Sequence, residues 1–261
     1  MFPDVKLSRR PLHFIYLCDC SGSMRASGKM QALNQAIRQS LPEMVQVSRQ
    51  NPEAHIMVRV LSFADRALWH LGTPTPVDQV LPQWRDLEAG GLTAMGQAME
   101  QLASVLQTPP MDQRALPPVL VLISDGAPTD DYLGGLRTLM AEPWATKAVR
   151  LAIAIGHDAD LEVLQQFIGP TPGADSGSNG NGMPDGRGVD GDRLPGSGIG
   201  RNPRRPLQAN DSNTLARYIQ WASTVVVGAA SQPRSQPGGI PEANVLLPDL
   251  PPTILDPKDV W

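Results

Sequence analysis

Residues 13–23 read HFIYLCDCSGS, an apolar run that ends in small oxygen-bearing side chains. Residues 13–19 have the length and the aromatic, β-favouring composition of a buried parallel strand. Asp19, Ser21 and Ser23 stand at its carboxyl end and predict a tight turn with one carboxylate and two hydroxyls. Open α/β sheets bind ligands outside this end of their strands, and hard cations prefer oxygen ligands. The stretch therefore predicts a sheet strand that leads into a cation site.

Strand-like and helix-like segments alternate along most of the chain. Further strands are predicted at residues 56–63, 67–71, 118–124, 149–155 and 207–209. Helices are predicted at residues 29–49, after residue 93, at 131–141, from Asp160 to Phe167, and after Asp211. The short link at residues 64–66 predicts a hairpin and hence one antiparallel edge strand. The pattern predicts an α/β fold, a doubly wound, Rossmann-like arrangement with helices on both faces of a mostly parallel sheet.

Three local features refine this prediction. Pro42 lies inside the first helical pattern and is expected to kink or divide that helix. Residues 72–92 are rich in proline and glycine and predict a long loop. Asp130 is expected to cap the helix at 131–141.

The chain is predicted to form one domain over residues 1–230, with a Gly/Pro-rich insertion at 170–206. The insertion is nearly devoid of apolar residues, so it cannot offset the entropy cost of ordering. Residues 231–261 form a Pro-rich tail. Its apolar clusters at 245–247 and 254–255 leave two interpretations open, a disordered terminus or a partner-binding motif.

Charge and cysteine usage exclude several function classes. The formal net charge is −4, so the chain has no overall basic footprint for nucleic acid. Cys18 and Cys20 are the two cysteines of the chain, which provides no disulfide framework and fits a reducing compartment. No apolar run reaches the ~20 residues of a membrane span. We therefore expect a cytoplasmic protein that binds neither nucleic acid nor membrane.

Two further polar residues are expected to join the first turn. Thr93 stands in a Gly-Gly-Leu-Thr turn at a helix start, and Asp125 directly follows the apolar strand at 118–124. Loops after neighbouring strands share one edge of a doubly wound sheet. We therefore expect Asp19, Ser21, Ser23, Thr93 and Asp125 to form one metal site.

The five residues in this order resemble the metal-ion-dependent adhesion site (MIDAS) of von Willebrand factor A (VWA) domains. The resemblance covers residues 10–230 apart from the insertion. It implies the VWA three-layer sandwich and a bound Mg²⁺, or Mn²⁺ or Ca²⁺. Because several of the ligands are neutral hydroxyls, the charge of the ion is incompletely neutralised, so the ion attracts a carboxylate of a partner protein.

A narrower resemblance links the chain to bacterial TerY-like VWA proteins, which are associated with tellurite resistance and phage defence. It is carried by residues 124–131, by Leu33-Asn34-Gln35-Ala36-Ile37 and by Ala209-Asn210-Asp211. It implies a non-enzymatic scaffold or regulator in a bacterial stress or defence system, with a Ser/Thr kinase and a PP2C-type phosphatase as partners.

Two other functions remain open at this stage. The chain could be the VWA subunit of an AAA+ ATPase or chelatase complex, or a metal-dependent hydrolase. The sequence argues against the hydrolase because His13, His55, His70 and His157 show no metal-ligand spacing. The motif loops also contain no histidine or glutamate to act as a general base.

Overall fold

A six-stranded sheet forms the middle layer of the protein, in the order β3-β2-β1-β4-β5-β6. The computed structural model describes residues 9–169 and 205–231. Its strands are β1 (Arg10–Asp19), β2 (Ala54–Phe63), β3 (Ala67–Pro76), β4 (Val119–Ser124), β5 (Val149–Ile155) and β6 (Leu207–Ala209). β3 pairs antiparallel with β2 at one edge, and the other pairings are parallel. The predicted fold class, with one antiparallel edge strand, is confirmed.

Helices cover both faces of the sheet. They are α1 (Lys29–Gln50), α2 (Val80–Gln83), α3 (Met95–Val105), α4 (Tyr132–Met140), α5 (Pro143–Lys147), α6 (Leu161–Ile168), α7 (Ser212–Trp221) and α8 (Val227–Ala230). A π-helical turn, Ala222–Val226, joins α7 to α8. No helix of the described residues is long and apolar enough to cross a membrane.

Alternation along β1 divides the interior into two cores. Phe14 and Tyr16 point toward α1 and α7, whereas Ile15 and Leu17 point toward α3 and α4. Successive side chains of a strand face opposite sides, so a central strand with helices on both faces is apolar throughout. β1 is thereby held from both sides, which fixes the position of Asp19 at its end.

Pro42 does not divide the first helix, which rules out one of the two predicted outcomes, a kink or a division. α1 runs unbroken from Lys29 to Gln50 with Pro42 inside it. Pro42 is exposed, while Leu41 and Met44 beside it are buried. Because the proline ring faces solvent, water can hydrate the carbonyl that loses its partner, and the packed face keeps the helix continuous.

The prediction of a loop over residues 72–92 is wrong in its first part. β3 continues to Pro76, and two short helical segments follow at Val77–Gln79 and Val80–Gln83. Prolines are tolerated here because β3 is an edge strand, and its register against β2 shifts between Val58 and Leu61.

The prediction that Asp130 caps the helix after β4 is wrong. Asp131 caps α4 by accepting a hydrogen bond from Gly134 N. Asp130 instead accepts from Gly96 N and Gln97 N in the first turn of α3. The loop after β4 is thereby fastened to the helix that follows Thr93.

The insertion and the tail lie outside the described residues, apart from Arg205, Pro206 and Ser231. The domain boundaries at residues 230 and 231 and both interpretations of the tail therefore remain predictions.

Candidate metal centre

The predicted site lies at the carboxyl edge of the sheet, where β1 and β4 end side by side. Cys18 pairs with Ile123 in the parallel register, so Asp19 is level with Ser124, and Asp125 follows one residue beyond it on the adjacent strand. After Asp19 the chain turns into a 3-10 segment, Gly22–Gly28. Short loops after adjacent parallel strands therefore bring the two aspartates and the two serines together.

A chain of hydrogen bonds joins four of the five predicted residues. Asp19 Oδ1 accepts from the backbone N of Ser21 at 2.8 Å. The hydroxyls of Ser21 and Ser23 lie 3.0 Å apart, and the Ser23 hydroxyl donates to Asp125 Oδ1 at 2.7 Å. Asp19, Ser21 and Asp125 are buried, whereas Ser23 is exposed. The cluster therefore reaches solvent on the side of Ser23.

Thr93 is positioned beside this cluster by its backbone. It exchanges two hydrogen bonds with Thr129, one from Thr93 N to the Thr129 hydroxyl and one from Thr129 N to Thr93 O. Two residues earlier, Gly91 O accepts from Gly22 N at 3.0 Å. Among the described residues no hydrogen bond joins the Thr93 hydroxyl to the other four predicted ligands. Its loop is thus fixed against both other loops, and its role as a ligand remains a prediction.

Ser124 is a site residue that the sequence reasoning missed. Its hydroxyl donates to Asp19 Oδ2 at 2.6 Å, so each oxygen of that carboxylate has a partner. The only sequence signal was its place as the last residue of β4, directly before Asp125.

Lys29 is the second missed residue. Its ammonium lies 2.9 Å from Asp125 Oδ2 and 3.4 Å from Asp158 Oδ1. Lys29 is the first residue of α1, and a cation at a helix N-terminus opposes the helix dipole. A lysine at a predicted helix start, with aspartates in loops of the same sheet edge, was a signal that could have identified it.

Burial disfavours the charged form of Asp19. Desolvation raises the pKa of Asp19, the hydrogen bonds from Ser124 and Ser21 oppose the rise, and the nearby charge of Asp125 adds to it. A bound cation would offset this cost because it favours the carboxylate form. The site thus combines two buried carboxylates, several hydroxyls and one lysine.

The donor set fits a hard divalent cation. Within residues 9–169 and 205–231, no three His, Cys, Asp or Glu side chains cluster as a metal site. The available donors here are instead two carboxylates supplemented by hydroxyls, all of them oxygen. This set suits Mg²⁺, Mn²⁺ or Ca²⁺ better than a metal that prefers nitrogen or sulfur ligands.

An open cavity of about 430 Å³ borders this edge of the sheet. Its lining includes Cys20, Asp65, Leu68, His70 and Glu88. Leu68 is exposed, so the surface beside the site offers an apolar contact as well as polar ones.

Residues 14–127 match the family model of the von Willebrand factor type A domain. The matched segment contains all five predicted ligands. A search of curated protein sequences finds no significant match.

Solved structures with the same fold come from several organisms. A von Willebrand factor type A protein from Catenulispora acidiphila is 16% identical with a TM-score of 0.54, over 84% of this chain and 43% of that one. Proximal thread matrix protein 1 of the mussel byssus is 13% identical with a TM-score of 0.55, over 82% of this chain and 47% of that one. A D319A mutant of the PilB minor pilin from Streptococcus sanguinis is 12% identical with a TM-score of 0.52, over 89% and 65%.

The chain thus spans less than two thirds of the length of each of these proteins. At such identities the likeness is one of fold. The likeness confirms the predicted fold class, while the family model matches less than half of the chain. The narrower resemblance to TerY-like proteins stays a prediction.

Proposed function

We propose that this chain is a von Willebrand factor type A domain and a non-enzymatic binding module that docks a carboxylate of a partner protein through a divalent cation. Asp19, Ser21, Ser23, Thr93 and Asp125 would hold the ion, directly or through water. The observation that carries the proposal is the hydrogen-bonded chain from Asp19 to Asp125, buried at both carboxylates and open to solvent at Ser23.

The charges of the site support a carboxylate as the group that is bound. Two aspartates would neutralise a divalent ion formally, but Lys29 already neutralises one of them. Hydroxyl ligands add no negative charge. Mg²⁺ keeps several exchangeable waters in protein sites, so an anionic oxygen can replace one of them on the exposed side.

Thermal unfolding of the purified chain tests the metal site. With excess Mg²⁺ at ~100 times its Kd, binding adds about 2.7 kcal/mol to the free energy of unfolding. For a domain of this size that raises Tm by about 5–10 °C. Asp19→Asn, which keeps the side-chain volume, is expected to abolish the rise. Glu100→Gln removes one exposed charge on α3 and serves as the control.

Capture experiments then test the docking of a partner. A partner of the proposed kind is lost both with EDTA and in Asp19→Asn, but not in Glu100→Gln. Replacing one acidic residue of the recovered partner by its amide should also abolish capture. A partner that is retained under EDTA, or a chain without a metal-dependent Tm, contradicts the proposal.

We further propose that the partners are a Ser/Thr kinase and a PP2C-type phosphatase in a bacterial stress or defence system linked to tellurite resistance. The support is the resemblance to TerY-like proteins carried by residues 124–131, 33–37 and 209–211. Metal-dependent co-purification with a kinase or phosphatase supports this assignment, whereas co-purification with an AAA+ ATPase supports the chelatase-type alternative.

The same proposal places the chain in the cytoplasm and assigns it no catalysis. Cys18 and Cys20 are buried and unbridged, which fits a reducing compartment. A panel of phosphatase, nuclease and nucleotidase substrates with Mg²⁺ or Mn²⁺ tests the second point. Turnover that disappears in Asp19→Asn would establish the hydrolase instead.

A further inference from the structure

The carboxylate of Asp125 is shared between two different partners. Its Oδ1 accepts from Ser23, which belongs to the proposed ligand set, and its Oδ2 contacts the ammonium of Lys29 at 2.9 Å. The side chains of Lys29 and Asp125 are 6% and 0% exposed. The ammonium of Lys29 therefore lies in the interior, one carboxylate away from the proposed cation.

The surroundings of Lys29 form a built pocket for its ammonium. A Cβ on Gly156 would lie 3.1 Å from Lys29 Nζ and 3.3 Å from its Cε. Gly156 also has a φ of +87°, a conformation that side chains rarely adopt. The chain after β5 thus leaves room for the lysine, and Asp158 contributes a second, exposed carboxylate.

A buried lysine is costly unless its charge is paired. At the start of α1 it also opposes the helix dipole, so neither the helix nor the core favours it. Its pairing with Asp125 compensates for that cost. The same pairing reduces the negative charge that Asp125 can offer to a metal ion.

We propose that Lys29 is a positioning residue that orients Asp125 and sets the charge of the metal centre, so that the ion binds more weakly but attracts an anionic partner more strongly. This inference rests on the proposed function. A divalent ion and two aspartates give the metal centre a formal charge of zero, and Lys29 raises that charge to +1. A positive metal centre retains more attraction for a carboxylate.

Lys29→Met tests the first half of this proposal, because methionine keeps much of the buried stem and removes the charge. Even at the dielectric constant of water, a unit charge about 6 Å from a divalent ion changes its affinity about 10-fold, and a lower effective dielectric constant enlarges the change. Titration of the full chain with Mg²⁺ in a calorimeter should therefore show binding tighter by at least that factor. Lys147→Met, an exposed lysine on α5, should leave the affinity unchanged.

Asp158→Asn is a second variant, and its expected effect on Mg²⁺ affinity is opposite to that of Lys29→Met. Asp158 is 71% exposed at its side chain, so its removal does not threaten folding. The substitution leaves the positive charge of Lys29 less compensated and should therefore weaken Mg²⁺ binding. The effect should be only about 2- to 5-fold, because solvent screens the Lys29–Asp158 pair. Glu162→Gln, an exposed carboxylate nearby on α6, is the matched control.

Acetate binding to the Mn²⁺-loaded chain, followed by water proton relaxation, tests the second half. Lys29→Met is expected to bind acetate several-fold more weakly than the wild type, because the centre has lost one positive charge. Equal Mg²⁺ affinity in Lys29→Met and wild type, or weaker binding in Lys29→Met, overturns the inference, as does an unchanged affinity in Asp158→Asn. Failure of the wild type to bind any divalent ion overturns the proposed function itself.

Discussion

His13 on β1 should make the domain sensitive to mild acid. Its side chain is 6% exposed, and its Nδ1 has no hydrogen-bond partner among the described residues. Burial lowers the pKa of His13 from 6.5 to about 4, with Arg59 contributing in the same direction and Asp112 opposing. Above its unfolded pKa the imidazole is neutral in both states, so it leaves the stability unaffected.

As the pH falls below 6.5, the unfolded chain takes up a proton that the folded chain refuses until about pH 4. The free energy of unfolding therefore decreases across this window. The total loss is about 3 kcal/mol, since each pKa unit corresponds to about 1.4 kcal/mol. Between about pH 7.5 and about pH 5 the loss from this one group is about 2 kcal/mol, a large share of an ordinary domain's stability.

Urea unfolding in EDTA, followed by far-UV circular dichroism at several pH values, measures this loss. Other groups contribute to the wild-type profile, so the comparison is with His13→Leu, which cannot titrate. The wild type should lose about 2 kcal/mol more than His13→Leu between about pH 7.5 and about pH 5. His157→Gln, which removes an exposed histidine, should follow the wild type. Parallel profiles for wild type and His13→Leu would refute the reasoning.

Two further predictions concern close contacts that support the site. In Gly135→Ala the new Cβ would lie 2.2 Å from a backbone oxygen of α3, so α3 and α4 must separate. Urea unfolding should show that the free energy of unfolding falls by about 2 kcal/mol. Gly228→Ala meets nothing within 4 Å and should be neutral or stabilising by up to ~1 kcal/mol; equal effects would argue against the close helix contact. The buried amide of Asn34 makes two hydrogen bonds to the backbone of Leu87, so Asn34→Ala should cost about 2 kcal/mol and speed hydrogen exchange at Leu87. Gln35→Ala, an exposed neighbour, should change neither, and unchanged exchange in Asn34→Ala would contradict this role of the amide.

Most strands of the central sheet could be predicted because apolar runs bounded by turn residues mark them in the sequence. Residues 149–155 and 207–209 agree with the observed bounds of β5 and β6. The helices predicted from Asp160 and after Asp211 are present as α6 and α7, and each aspartate caps its helix by accepting from backbone N–H of the first turn. These features depend on residues that are close together in the sequence, so they could be predicted from it.

Other features depend on contacts between distant segments, which a pattern does not contain. Asp130 and Asp131 are chemically equivalent as caps, and only the approach of α3 decides that Asp130 serves a different helix. Pro42 is tolerated because it faces solvent, which the orientation of α1 decides. The sequence places Lys29 at a helix start near loops that contain aspartates, but only the folded sheet edge shows that its partner is Asp125, 96 residues away.

The places where β1 begins and where α6 and α8 end have a consequence for how the domain can be attached to other structures. Arg10 begins β1, and Ile168 at the end of α6 accepts a hydrogen bond from Arg150 near the start of β5. β6 begins at Leu207, and α7 and α8 lead from its carboxyl end back to Ser231. The start of β1 and the ends of α6 and α8 therefore lie toward the end of the sheet opposite Asp19, whereas Leu207 pairs with Ile153 and lies near the carboxyl edge. A bead, a surface or a fluorescent protein coupled before β1 or after α8 would leave the cation edge facing outward.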